Sequence, residues 1–360
     1  MIILILVNMY SIEETIDRLN SLYLEDNIQD DYINRIRSQQ HLLLDIVTGS
    51  PLKDTIDIDK INTVYDQVIL SVQAFLRGNI QDSILQIKKF IFQEYIDRRY
   101  IYIRRKRINP YDLIAFRARK CDTHDLFSRE EMMHIPNNKR YLVSNQRFSL
   151  SGYPCLYIGA SIYGCWEELD RPDIEKFNIT CIRNEKLIHF VDLTLPHFTA
   201  QNLSPEYVYT SILPWLCSFR AKHKGCAFIV EYTIPQILMS ILISSRKRSG
   251  SVIQDIMAYQ GLMYTSTIYN TSKDLFKGRE LMTNYVVPIL GNKINACGLC
   301  EYVCDYFFLT EPTSLTNERV IEDKEQLFVP YGNGNHTKYE TTEFGLLEKK
   351  LRMRDFKKIG

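Results

Sequence analysis

The sequence has almost no net charge: 44 Lys and Arg against 43 Asp and Glu leave +1 over 360 residues. Nothing global therefore points to nucleic acid or to an anionic membrane as a partner. Long apolar runs are also missing. Met1-Ile2-Ile3-Leu4-Ile5-Leu6-Val7 is too short to span a bilayer. It lacks the basic start and the small-residue cleavage site of a secretory signal, so a strand or a buried segment is expected. The chain shows no internal repeat, no low-complexity tract and no Gly-rich phosphate loop. Its 9 cysteines are odd in number and scattered, which excludes a closed disulfide framework and reads as reduced thiols in a cytoplasm. Cys297-x-x-Cys300-x-x-x-Cys304 has no fourth ligand nearby, so it reads as buried small residues rather than a zinc site. No metal is expected.

What is present, 45% hydrophobic and 24% charged residues, is an ordinary globular balance with material for more than one core. Residues 10 to about 100 read as helical. Ser11 followed by Glu14 is a capping box, and Ile12, Ile16, Leu19 and Tyr23 recur at helical spacing. Further helices fit Asp30–Val47, Ile61–Leu76 and a stretch from Ile80 through Tyr95, which together suggest a small bundle. A basic joint follows, from Arg98 to Arg107. It reads as a solvated helix end, where cations suit the negative pole of the dipole, in preference to a phosphate or nucleic-acid patch.

After Asn109-Pro110 the texture changes. Candidate strands are Leu113–Ala118, Cys155–Gly159, His189–Leu193, Ala227–Tyr232 and Gly261–Ser266. Helices fit Ser161–Leu169, Glu206–Phe219, Gln236–Ile243 and a basic stretch from Phe344 to Ile359. Without regular βαβ alternation the class is α+β. The expected domains are a helical one over 1–108, a mixed one over 109–312 and a C-terminal extension over 313–360.

The chemistry concentrates between Asn145 and Asp173. Arg147 precedes a glycine turn, Tyr157 lies on a short apolar strand, and Glu167-Glu168 sit on the helix after it. Such groups could hold an anionic nucleotide and stabilise a ribosyl cation. With Ile162, Cys165, Trp166 and Leu169 facing the core, Glu167 is expected to point well away and Glu168 to lie at the margin. Gly164, one turn earlier, is expected to leave open space beside Glu168. The plainer reading is that both acids form a solvated face.

Four blocks occur in the order expected of the RES domain family. They are Phe116-Arg117-Ala118-Arg119, the stretch from Gln146 to Leu169, Tyr232-Thr233-Ile234-Pro235-Gln236, and Gly261-Leu262-Met263-Tyr264-Thr265-Ser266. The chain resembles that family over about 110 to 312, and its helical start resembles the HEPN-like domain attached to some members. The resemblance implies a fold similar to ADP-ribosyltransferase toxins. It also implies an NAD-degrading activity, by hydrolysis or phosphorolysis, in a toxin restrained by an antitoxin. By position it makes Arg117 or Arg119 the family's first arginine, Arg147 the second, Tyr157 the strand tyrosine, Glu168 or Glu167 the glutamate, and Ser266 the serine. Gln146-Arg147-Phe148 departs from the Gly-Arg-Trp of many members, which bears on the shape of the pocket floor.

The residue types suit that chemistry. Breaking the nicotinamide–ribose bond builds positive charge on the sugar, which a fixed carboxylate stabilises. An arginine fork suits a diphosphate, a tyrosine face stacks on nicotinamide, and Ser266 would position Glu168 or a ribose hydroxyl. NAD is then the substrate, with water or inorganic phosphate as acceptor, and no other cofactor is implied. Competing readings are a protein ADP-ribosyltransferase using the same pocket, a HEPN-type ribonuclease resting on Arg35 and His41, and a non-catalytic interaction protein. An antitoxin partner, self-association as a homo-oligomer, or the N-terminal bundle would restrain the enzyme. His134 reads as structural.

Overall fold

In a computed structural model the described residues are 10–93, 102–123, 125–245, 259–270, 279–289, 293–318 and 339–359. They form two compact units, one of residues 1–104 with 193–241 and one of 105–192 with 242–360. The opening Met1–Val7 and Arg98, Arg99 and Tyr100 of the basic joint lie outside the described residues.

The first unit is built on α1 (Ile12–Ser21), α2 (Tyr32–Thr48), α3 (Ile58–Leu76) and α4 (Ile80–Gln93). Their starts follow from capping side chains that satisfy free helix N–H groups. The Ser11–Glu14 box is closed in both directions, and Asp31 and Asp57 cap α2 and α3. The repeating apolar positions Leu19, Ile36, Leu43, Ile61, Val64, Val68 and Val72 are fully buried.

Residues 193–241 belong to this unit and, Leu193 apart, lie outside the sheet, which revises the expected boundaries. They carry α6 (Pro205–Cys217) and most of α7 (Thr233–Ser245). The expected strand Ala227–Tyr232 is instead a loop closed by a short 3-10 turn, Val230–Tyr232. That turn draws Glu231 inward to Arg35, at 2.6 Å. Arg35 also grips Asp26 with two bonds of 2.7 Å and donates to the Arg220 carbonyl. Arg35→Met is expected to leave the buried Glu231 without a cation and Asp26 with only Arg220, at 3.8 Å, and to cost about 3–5 kcal/mol. A fall in the denaturant midpoint of this unit checks it.

The second unit is α+β, as its sequence suggests. Its eight strands are β1 (Arg104–Ile108), β2 (Ile114–Lys120), β3 (Cys155–Gly159), β4 (Phe177–Asn184), β5 (Ile188–Leu193), β6 (Gly261–Thr265), β7 (Thr283–Pro288) and β8 (Phe307–Leu309). They lie side by side in the order β1-β5-β6-β7-β3-β2-β4-β8. The end of the basic joint is thus an edge strand and not a helix end. Its exposed Arg105, Lys106 and Arg107 suit an edge that must not recruit further strands.

Alternation along β2 divides the core. Leu113 and Ala115 join Met132, Leu156, Ile158 and Ile182 in one apolar cluster. Phe116 and Ala118 join a second, which includes residues of α5 (Ile162–Glu168) and α9 (Glu343–Arg352). The short α8 (Glu301–Cys304) precedes β8. The expected C-terminal extension is integral to this unit, since Thr313 bridges to Ile179 and Lys357 to Leu309. The basic helical stretch stops at Arg352, short of Ile359.

All nine cysteines are free. Among the described residues no cluster of His, Cys, Asp or Glu could hold a metal ion, and no helix is long and apolar enough to cross a membrane.

Candidate functional site

β2 and β3 register at only one pair, Phe116 with Gly159, whereas β3 pairs with β7 along its whole length. The sheet therefore opens beside β3, and the Tyr157 carbonyl needs another donor. Arg117 supplies it, its Nη1 donating to Tyr157 O at 2.7 Å. The side chain has no carboxylate partner among the described residues, and its buried Nε donates to nothing. Burial, reinforced by Arg119, pushes its pKa down to about 10, which still leaves a full cation at neutral pH. A partly desolvated cation without an anion is costly, and such groups concentrate where a ligand supplies the missing charge.

Arg119, two residues along β2, is committed elsewhere. It donates to the Glu131 carbonyl and lies over the Phe127 ring at 4.5 Å.

The two acids of α5 part company. Glu167, expected to point well away from the core, is buried and paired with Arg171 at 3.0 Å. The chain reverses after the helix through Asp170 and Arg171, both with positive φ, which folds the arginine back over the acid. Glu168 is exposed. It does not gain its space from Gly164, as the spacing suggested: a Cβ there would fall 2.7 Å from the Leu281 carbonyl, so that glycine permits close packing. The helix start is fixed by Ser161, which caps Gly164 N, and by Glu348 of α9, which accepts from Ile162 N at 2.7 Å.

Glu168 Oε1 accepts from Asn284 Nδ2 at 2.7 Å. Asn284 lies on β7, opposite Gly159 of β3 and Tyr264 of β6, and was not expected from the sequence. The available signal was a polar residue inside Thr283-Asn284-Tyr285-Val286-Val287-Pro288, a run whose β-branched residues mark a strand.

Tyr157 bonds through its hydroxyl to Ser149 at 2.9 Å. Burial holds its pKa well above the usual phenol range, so it stays neutral. Arg147 is buried and donates to Thr267 at 3.2 Å, while its neighbour Phe148 packs on Tyr264 with ring centroids 4.5 Å apart. Ser266 is buried, and its hydroxyl accepts from Ile268 N at 3.2 Å. Its observed bond is thus to the turn that carries Thr267, while Glu168 is held by Asn284. Tyr157 and Asn284 lie on the paired strands β3 and β7, with Arg147 in the loop before β3 and Ser266 just past the end of β6. The Tyr232–Gln236 block falls in the first unit.

His134 is structural. Its Nε2 accepts from Cys300 N at 2.9 Å, which leaves Nδ1–H to donate to the Ile135 carbonyl at 2.8 Å. Burial lowers its pKa below 6.5, so the folded state holds the neutral ring. The unfolded chain binds the proton more readily, and the contribution of this ring is present above about pH 6.5 and lost as pH falls. His134→Ala is expected to cost about 2 kcal/mol at pH 8, with the gap from wild type narrowing below pH 6.5 in thermal melts.

A scan against protein-family models finds no match. No solved structure matches the chain. Among curated proteins it is similar to one from Bacillus subtilis (strain 168) named "Putative toxin YopC", 28% identical over 320 residues, covering 82% of this chain and 69% of that one.

Proposed function

We propose that this protein is an NAD-cleaving enzyme of the RES type, acting as a toxin. The observation that carries the reading is Arg117, a half-buried side chain with a buried, unbonded Nε and no carboxylate partner among the described residues, set in the sheet opening against the backbone of Tyr157. Its charge suits the diphosphate of a dinucleotide. Glu168, exposed and oriented by Asn284, suits the sugar next to it. The likeness to a protein named as a toxin supports the biological half of the reading.

In the reaction the bond between nicotinamide nitrogen and C1′ breaks, and its electron pair leaves with the nitrogen, which loses its positive charge. Glu168 stabilises the cationic sugar. An oxygen of water or phosphate then bonds to C1′, water giving up a proton as it does so. The products are nicotinamide and ADP-ribose, or its 1″-phosphate.

A toxin of this kind needs restraint in its own cell, which an antitoxin partner or self-association would provide. The ribonuclease reading loses its arginine, because Arg35 is consumed in a buried ion network and His41 is exposed. The test is NAD turnover by purified protein with and without phosphate, followed by chromatography. Nicotinamide release with ADP-ribose or its phosphate is expected. Labelled ADP-ribose appearing on protein would assign the transferase reaction instead, and intact NAD under both conditions would overturn the proposal.

A further inference from the structure

We infer that Asn284 is the positioning residue of this site, holding Glu168 with its amide nitrogen and offering its amide oxygen to a ribose hydroxyl of the ligand. The inference rests on the NAD-cleaving reading.

Glu168 is the last residue of α5. There the helix dipole and unpaired carbonyls disfavour a negative charge. An exposed glutamate at that place would ordinarily sample several rotamers in water. The bond from Asn284 Nδ2, at 2.7 Å, has the length of a charge-assisted hydrogen bond, about twice as strong as a neutral one. It offsets the dipole and selects one rotamer. A carboxylate that must act on a short-lived cation gains most from being fixed in advance.

Chemistry settles which way the amide faces. An ionised carboxylate only accepts, so the nitrogen must point to Glu168 and the oxygen away from it. That oxygen accepts no hydrogen bond from the described residues. The space in which it lies is kept by Gly159, where a Cβ would stand 3.3 Å from Asn284 Oδ1 and 2.7 Å from Cys165 Sγ. Asn284 itself is buried in a strand paired on both sides, so the amide is held by the sheet. One side chain thus presents a fixed donor to the carboxylate and a fixed acceptor next to it, an arrangement that suits the adjacent hydroxyls of a ribose.

Two variants separate these parts. Asn284→Asp retains the acceptor oxygen and the size of the side chain but replaces the donor by a second carboxylate. Two carboxylates at this distance compete for one proton. The acid limb of the pH–rate profile for NAD cleavage is expected to move up by about one pH unit or more, with KM within about threefold of wild type. Asn284→Ala removes both parts and is expected to lower kcat about 10- to 100-fold and to raise KM as well. A residue that merely packs β7 would change thermal stability and leave the acid limb in place. Because Asn284→Asp is nearly isosteric, the test does not depend on the alanine variant folding. Active wild type with an Asn284→Asp profile superimposed on it would overturn the inference and leave the NAD-cleaving reading standing. Wild type that never cleaves NAD would overturn that reading, and the inference with it.

Discussion

Glu168→Gln is expected to reduce nicotinamide release by a factor of about a thousand or more, with NAD binding retained within a few-fold. The substitution keeps the size of the side chain and removes only the charge. Glu168 is exposed, so folding should not suffer. Asn284 can still donate to the glutamine oxygen, which preserves the local geometry. What disappears is the negative charge that the cationic sugar requires, and this appears in kcat because the charge matters most in the transition state. Glu167→Gln should behave differently. It weakens the pairing of a buried carboxylate with the exposed Arg171, so its main effect should be lower stability. Initial rates by chromatography, with thermal melts of both variants, distinguish the two acids. Full activity in Glu168→Gln would remove that residue from the mechanism.

Arg117→Met should give the second large effect, and in an uncommon combination. KM for NAD is expected to rise about 100-fold, while stability stays level or rises by about 1 kcal/mol. The sign follows from the lowered pKa, whose first cause is burial. The folded protein holds this charge less favourably than the unfolded chain does, and methionine fills similar space without the charge. The lost bond to the Tyr157 carbonyl works against this gain, which keeps the net change small. Calorimetric NAD binding and thermal unfolding, measured on the same sample, check both halves. A stability loss above about 2 kcal/mol with unchanged KM would make Arg117 a structural residue. Arg119→Met serves as the contrast, because its charge already rests on the Phe127 face and the Glu131 carbonyl.

Much of the architecture was legible in the sequence wherever short-range physics decides. Helical periodicity with Ser11, Asp31 and Asp57 as caps determines α1 to α3, because a cap and its free N–H groups lie within one turn. The apolar run Cys155–Gly159 and the Ser161 cap likewise determine β3 and the start of α5.

Tertiary structure decided the rest. The direction of Glu167 depends on Arg171 returning in a left-handed conformation, and the role of Gly164 depends on a carbonyl 117 positions away. Residues 193–241 join the helices through Glu231 and Arg35, a pairing that no local pattern encodes. Asn284 meets Glu168 only because β7 lies beside β3 in the sheet. The exposed carboxylate and its amide partner are separated by 116 residues, and strand order alone brings them together. Local sequence determines which elements form, since their hydrogen bonds and caps close over a few residues. Which side chains meet at the site is decided by long-range pairing, where burial and register outweigh local preference.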